Sequence, residues 1–431
     1  MRATSFVGIV PKAMEPLKRV LVLAPTPFFA DRGCHMHIAE QTYALQRRGL
    51  EPLIVTYHLG RDLPGLNIRR TVRVPWYRKL GPGPSWHKFY VDPLLLRTAL
   101  RAARQFRPHI IHAHLHEGCV LGSVLRQQLG IPLLFDVQGS LTGELLAHRF
   151  PLAQPEFLRN AWYALERWID HLPDVLVAQS TEMRQELLEK FRVPRERLFM
   201  AYDGVNTNVF RPGERDPYLV SRLGIPKDRK VIVYLGGLDA YKGVDALLDA
   251  FPEILRKVPE AFLLLMGYPR EDHYRTRAEE LGVAHAVRVT GKIAYEDAPR
   301  YLTLGDIAVA PKRSQTEANG KIYTYMACGL PTVAFDTVVN RDILGDLGVY
   351  VRPMEDTRGM GEAITELLRD DEKRREIAER VRERAVREYS WDTVAGRLID
   401  AYEAARTLAI RGAHARSVPE VRSATSSTPK S

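Results

Sequence analysis

The chain is poor in cysteine. Its 431 residues hold three, Cys34, Cys119 and Cys328, far apart in sequence. That excludes a disulfide framework, and none of them stands in a Cys-x-x-Cys or Cys/His pattern with metal-ligand spacing. A reducing, cytoplasmic setting is the simplest expectation. Long apolar runs are also missing: no stretch reaches the roughly 18 apolar residues that span a bilayer. Residues 1–18 carry Arg2, Lys12, Glu15, Lys18 and two prolines, which interrupt any secretory apolar core, so they read as a loose leader. There is no short-period repeat. No recognisable nucleic-acid module is present, so no nucleic-acid partner is expected.

At 431 residues the chain is too long for one ordinary core, and roughly 100–200 residues per domain implies two or three domains. Basic residues outnumber acidic ones, 62 to 52, and the excess is uneven. Residues 78–107 hold seven Lys or Arg against a single acid, Asp92. Such a patch attracts phosphate, on lipid headgroups or on a phosphorylated substrate.

Short runs of β-branched residues and leucine alternate with amphipathic stretches. Residues 19–24, 51–57, 109–113, 131–137, 174–178 and 198–202 read as strands, apolar almost throughout as strands covered on both faces are. Between the first two, residues 35–48 read as a helix with Ile38, Thr42 and Leu45 on one face and Gly49 at its end. The pattern pauses near Pro212-Gly213 and resumes with strands at 230–235, 261–266, 287–290, 306–310 and 332–335. A helix over 244–257 places Val244, Leu247, Leu248, Phe251, Ile254 and Leu255 together. Two doubly wound α/β domains follow from this βαβ alternation. Residues 355–388 are charged and helical in composition, and 391–408 form a further amphipathic helix. After Arg411 the chain turns to Ser, Thr, Pro and Ala, a composition expected to stay disordered.

Three strand-to-helix loops carry the chemistry. In residues 25–37, Gly33 lets backbone approach a phosphate or sugar at a helix start, beside Asp31 and Arg32. In residues 235–246, Gly236, Gly237 and Gly243 surround Lys242, a lysine placed to neutralise a diphosphate. In residues 310–336, Glu317, Asn319, Gly320, Lys321 and Thr324 open a helix, with Lys321 and Thr324 on one face.

The order of these segments resembles glycosyltransferase family 4, of the GT-B fold. The stretch Lys321-Ile-Tyr-Thr-Tyr-Met-Ala-Cys-Gly-Leu-Pro-Thr-Val333 is similar to that family's donor signature. Tyr202-Asp-Gly-Val-Asn206 with Phe210 and Pro212 is similar to its bridge between domains, Lys242-Gly243 to its Lys-Gly segment, and His112-Ala-His-Leu-His-Glu117 to its His-x-His region. The likeness runs from about Arg19 to Ala405 and departs at two places. Gly237 stands where the family often has arginine, and in one register Thr316 and Thr324 occupy the places of two family carboxylates, with Glu317 next to the first.

The resemblance implies two Rossmann-like domains facing across a cleft. It divides the chain into a leader (1–18), an acceptor-side domain (19–211), a nucleotide-sugar domain (212–390), a C-terminal helix crossing back to the first domain (391–410) and a tail (411–431). It implies sugar transfer from a nucleotide-diphosphate sugar, UDP or GDP, with retention of configuration, no metal and no separate cofactor. Lys242, Lys321 and Arg313 would stabilise the leaving diphosphate, with Gly33, Gly236, Gly237, Glu317, Asn319, Gly320 and Thr324 around the donor. His114 or His116, just past a strand, would bind a sugar hydroxyl or assist proton transfer, and Lys242 would share the catalytic work. Glu117, Asp136 and Gln138, with Asp31 and Arg32, would line the acceptor pocket.

Trp76, Tyr77, Trp86, Phe89 and Tyr90 are interleaved with Arg78, Lys79 and Lys88, followed by Arg97, Arg101 and Arg104 on one helical stripe. Aromatic and basic residues together suit an anionic bilayer interface. The expectation is peripheral contact at the inner face of the cell membrane, a lipid-linked or phosphorylated acceptor, and a place in cell-envelope polysaccharide or glycolipid synthesis. The competing expectation, resting on Gly237 and Thr324, is a catalytically silent GT-B subunit that positions an active partner.

Overall fold

The computed structural model describes residues 15–30, 33–80, 86–147, 150–239, 242–312, 319–353 and 356–417. Strands β1 (Arg19–Ala24), β2 (Glu51–Thr56), β3 (Asn67–Arg70), β4 (Ile110–His114), β5 (Leu133–Val137), β6 (Val175–Ala178) and β7 (Leu198–Met200) form one sheet, in the order β3-β2-β1-β4-β5-β6-β7. Strands β8 (Lys230–Leu235), β9 (Ala261–Met266), β10 (Val287–Val289), β11 (Ile307–Ala310), β12 (Thr332–Phe335) and β13 (Val349–Val351) form a second, in the order β10-β9-β8-β11-β12-β13. All pairings are parallel.

The first sheet carries helices α1 (Gly33–Arg47), α2 (Lys88–Phe106), α3 (Leu115–Leu129), α4 (Leu141–Ala147), α5 (Glu156–Asp170) and α6 (Thr181–Glu189). The second carries α7 (Pro217–Leu223), α8 (Val244–Lys257), α9 (Glu271–Glu280), α10 (Ala298–Leu302), α11 (Lys321–Ala327), α12 (Val338–Leu344), α13 (Thr357–Arg369) and α14 (Asp371–Tyr389), and α15 (Trp391–Ser417) follows. Helices cover both faces of each sheet, so the strands alternate between two cores. Leu21 and Leu23 pack with Val91 and Leu95 of α2, while Val20 and Val22 pack with Ile38 and Leu45 of α1. In the second sheet Ile232 and Tyr234 face Leu247 and Phe251 of α8, and Val231 and Val233 face Leu302 and Met326.

Helix α15 packs on the first sheet beside α1. Its Trp391, Val394, Leu398 and Tyr402 lie in the same core as Val20 and Ile38. The chain thus passes between the sheets twice, and the two passages touch: Val205 N–H donates to Tyr389 O and Trp391 N–H donates to Val205 O. A Cβ at Gly204 would lie 2.5 Å from the Trp391 ring, so only glycine allows this approach.

Several boundaries differ from those the sequence predicts. Edge strand β3 (Asn-Ile-Arg-Arg) lacks an apolar run because it is only partly covered, and edge strand β13 (Val-Tyr-Val) is apolar but only three residues long. The charged stretch 355–388 is two helices, since the Asp370 side chain accepts from Lys373 N–H and caps α14. Helix α15 extends to Ser417, beyond the composition change at Arg411. In both sheets strand order reverses between the first strand and the fourth, β1/β4 and β8/β11, which opens a crevice at the strands' carboxyl ends.

Candidate active site

In the second sheet, the carboxyl end of β8 turns through Gly236 and Gly237. Gly236 has φ +147°, and a Cβ there would lie 2.9 Å from Lys321 Nζ. Lys321, in the first turn of α11, reaches over the β8 end: its ammonium donates to Tyr234 Oη at 3.1 Å and lies 4.2 Å from that ring's centroid. Tyr234 Oη in turn donates to Gly237 O at 2.7 Å. Lys242 approaches the same turn, its Cε 4.0 Å from the Cβ position of Gly237. Gly243, at φ +76°, caps α8, and a Cβ on it would be 1.9 Å from Pro311 O. Two lysines, two glycine turns and the starts of α8 and α11 therefore converge at β8 and β11.

The other donor-side candidates divide. Thr324 Oγ1 donates to Lys321 O at 2.7 Å, so its hydroxyl hydrogen is held within the helix. Asn319 is buried and donates to Asn340 Oδ1 at 3.0 Å, which ties the start of α11 to α12. Gly320 is exposed and faces Asp203 Oδ2, 3.5 Å from its Cβ position. A Cβ at Gly33 would meet nothing within 4 Å, so the start of α1 borders open space. Asp31, Arg32, Arg313, Thr316 and Glu317 lie outside the described residues.

At the carboxyl end of the first sheet the construction is different, because charge is buried there. Asp136, ending β5, is 1% exposed. Its carboxylate accepts from His37 Nε2 (3.0 Å), Gln41 Nε2 (3.1 Å) and Gln179 Nε2 (2.9 Å). Burial alone would raise this carboxyl, but the neighbouring His37 charge holds it well below the usual range. His37 donates through Nδ1 to Asp203 Oδ1 at 2.8 Å. Burial disfavours its charge, yet the two aspartates push its pKa up to about 10. A histidinium clamped between Asp136 and Asp203 thus joins the first sheet to the segment that crosses to the second. The ligand-capable atoms of His37, His114 and Asp136 lie within 4.8 Å of one another, and the cluster is satisfied here as an ion-pair network.

His114, ending β4, is wholly buried and accepts from Gln138 Nε2 at 3.0 Å through Nδ1. Burial and the adjacent His112 keep its ring neutral, well below the ordinary histidine value. His114 Nε2 and the Gln138 amide oxygen have no hydrogen-bond partner among the described residues. His116, in the first turn of α3, faces inward, its Nε2 3.8 Å from Glu166 Oε1 and 4.0 Å from Asp170 Oδ1. Glu117 is half-buried and paired with Lys88. Neither histidine candidate opens to solvent.

The aromatic–basic segment also sorts itself. Trp76, Trp86 and Phe89 are exposed, as are Arg97, Arg101 and Arg104. Tyr77, by contrast, is core, edge-on to Tyr57. Sequence reasoning missed His37, Gln41, Gln179 and Tyr234. His37 and Gln41 stand one helical turn apart at the start of α1 and were legible as a shared face, whereas Gln179 joins them only through the strand order.

The family description "Glycosyl transferase 4-like domain" matches residues 32–204, and "Glycosyl transferases group 1" matches residues 219–384. The chain belongs to the family-4-type GT-B glycosyltransferases. This glycosyltransferase is 27% identical to the D-inositol 3-phosphate glycosyltransferase of Thermobispora bispora, over 90% of this chain and 92% of that protein. It is 26% identical to spore coat protein SA of Bacillus subtilis, over 53% of this chain and 64% of that protein. Among solved structures, sucrose-phosphate synthase of Thermosynechococcus elongatus matches with a TM-score of 0.72 at 19% identity, over 93% of this chain and all of that one. Anabaena HepE in complex with UDP and glucose matches with a TM-score of 0.70 at 16% identity, over 90% of this chain and all of that one. Among the described residues, no helix of the glycosyltransferase is long and apolar enough to cross a membrane.

Proposed function

We propose that the enzyme moves a hexose from UDP-sugar, with GDP-sugar as the alternative donor, onto a phosphorylated or lipid-linked acceptor. Transfer retains configuration and needs no metal. The observation that carries the donor half is Lys321 lying over the Gly236–Gly237 turn, with Lys242 beside it. A diphosphate leaving there meets two ammonium groups and two helix starts, which stabilise the charge as the sugar–phosphate bond breaks. Arg313 and Glu317, which precede Lys321 in sequence, remain in the proposed donor set on the strength of the family resemblance. HepE, solved with UDP and with UDP-glucose, supports uracil as the base.

On the acceptor side, half-buried Gln138, held by its bond to His114, offers an amide oxygen that lacks a partner among the described residues, and a sugar or polyol hydroxyl would satisfy it. The D-inositol 3-phosphate glycosyltransferases among the relatives support a phosphorylated hydroxyl acceptor. Exposed Trp76, Trp86 and Phe89 beside Arg97, Arg101 and Arg104 support delivery of that acceptor at an anionic membrane face.

A thermal-shift series with UDP, GDP and ADP, repeated on Lys242→Ala and Lys321→Ala, tests the donor half. One nucleotide should raise the melting temperature, and both variants should lose that rise. A cooperative melt unmoved by any nucleotide would return the chain to the silent-subunit reading. Transfer assayed with and without EDTA then tests the metal-free step.

A further inference from the structure

Helix α5 carries apolar residues on its outer face as well as on its inner one, where Ile169 is buried beside Glu166 and Asp170. On a helical projection, Phe157, Ala161, Ala164, Leu165 and Trp168 share one arc, and Glu166 and Asp170 lie opposite. A helix on a soluble protein turns the first set inward. Here Phe157 is 73% exposed, Trp168 54% and Leu165 39%, while Glu166 and Asp170 are each 1% exposed. Of the two inward carboxylates, Glu166 has a reason to be there. Glu166 accepts from the N–H groups of Leu141 and Thr142, so it caps the start of α4, and His116 stands against both acids. Among the described residues, the outward apolar arc has no partner that explains it.

That arc continues into a second exposed group. Trp162, on the flank of α5, packs near Phe150 (6.3 Å between centroids), Phe150 near Trp86 (6.1 Å), and Trp86 stacks on Phe89 at the start of α2 (5.7 Å). One apolar surface therefore runs from Trp168 to Phe89, larger than isolated exposed residues require. Its rim is basic. The exposed charged side chains of α2 and α5 are Arg97, Arg101, Arg104 and Arg167, against Glu156. Asp92 is half-buried and bonded to the Tyr57 hydroxyl, and Lys88 pairs with Glu117.

We propose that α5, together with the Trp86–Phe89 stack, is the surface that enters an anionic lipid bilayer. Phe157, Leu165 and Trp168 sit in the interfacial layer, and the arginines of α2 lie among the headgroups. The arginine rim chooses the occupant. It complements anionic lipid, whereas symmetric pairing with a second copy brings like charges together. The placement rests on the membrane-delivered acceptor proposed above and gives it a route. Because Glu166 fastens α5 to α4, and α4 begins just after Gln138, the bilayer face adjoins the acceptor end of the first sheet.

The test is flotation of the full chain with vesicles of phosphatidylcholine alone and of phosphatidylcholine mixed with phosphatidylglycerol, at low and high salt. Wild type, Phe157→Ser/Trp168→Ser and Arg97→Glu/Arg101→Glu are compared, with the nucleotide thermal shift measured on each. The expected result is flotation on the anionic vesicles, weakened at least about tenfold by either double variant and unaccompanied by loss of the nucleotide shift. Single Trp168→Ser, weakened less, serves if the double variant does not fold. Flotation of Phe157→Ser/Trp168→Ser at the wild-type level overturns the inference. So does a wild-type dimer in sedimentation that this variant converts to monomer, since a second copy then covers the face. Wild type that shows the nucleotide shift but floats with neither vesicle sinks the membrane surface and leaves donor binding standing. Flotation lost in the variant without any nucleotide shift in wild type supports the surface and sinks the donor reading.

Discussion

Helix α8 turns its large apolar residues inward, whereas α5 buries Ile169 but leaves a second set of apolar residues facing out. In α8, Val244, Leu247, Leu248, Phe251 and Ile254 are completely buried against the second sheet and α13. In α5 the apolar arc faces out and two carboxyl groups face in. The same contrast divides the crevice ends of the two sheets. The donor-side end is built from glycine turns and lysines over a tyrosine, with apolar packing beneath. The acceptor-side end buries a network of His37, Asp136, His112, His114 and two glutamines, and next to it His116, Glu166 and Asp170. The lesson is that periodicity groups residues onto a face, but the choice of inward face depends on which polar groups find partners inside.

Four substitutions sharpen or break this contrast. The largest loss is expected at Phe251→Ala, which leaves a cavity under α8 and should cost about 3–5 kcal/mol in urea unfolding. A loss no greater than that of a surface change would mean that α8 is not the core helix described.

Next is His37→Asn, which strands Asp136 and Asp203 and should cost about 3 kcal/mol near neutral pH. The sign with pH is definite. The folded-state pKa of His37 is raised to about 10 from an ordinary 6.5, so the folded form keeps a proton that the unfolded chain releases. The stabilisation is present in full below about pH 6.5 and lost as pH rises towards about 10. Unfolding across that range should show this slope in wild type and lack it in the variant.

Third, Asp170→Asn should stabilise. Burial, with the charge of nearby Glu166, raises the Asp170 carboxyl to about 8 from 3.8. Both of its oxygens lack a partner among the described residues. The folded form holds a proton that the unfolded chain gives up, so wild-type stability falls as pH rises from about 4 to about 8. The variant should gain on wild type across that window, by on the order of 5 kcal/mol at its upper end, and the gap should stay level above it. A gap independent of pH would show that Asp170 is ionised throughout.

The smallest effect is expected at Trp168→Ser, within about 0.5 kcal/mol, because the side chain is already in water. A loss as large as that at Phe251 would make α5 an ordinary buried helix and end the contrast.

Much of the fold was legible in the sequence, since the interior strands of both sheets are covered on two faces and therefore read as apolar runs. Edge strand β3 escaped because a half-covered edge requires no such run, and β13 because its Val-Tyr-Val is too short to stand out. The meeting of Gly236, Gly237, Lys242 and Lys321 was legible too, since they lie in two strand-to-helix loops that the switch in strand order brings together. The acceptor end was less so. His114, His116 and Asp136 stood out as polar residues at strand ends, but their inward orientation did not. Tyr77 read as part of a surface because it stands between Trp76 and Arg78, and it packs in the core instead.

The sequence by itself determined the alternation of strands and helices, the glycine turns at their junctions and the grouping of apolar residues along each helix, because all of these depend on neighbours a few residues apart. Only the tertiary structure decided that His37 meets Asp136 and Asp203, that α15 returns to the first sheet, and that α5 turns Glu166 inward to cap α4. Each of those outcomes depends on a charge or ring finding its partner far along the chain, and burial without that partner is too costly to occur.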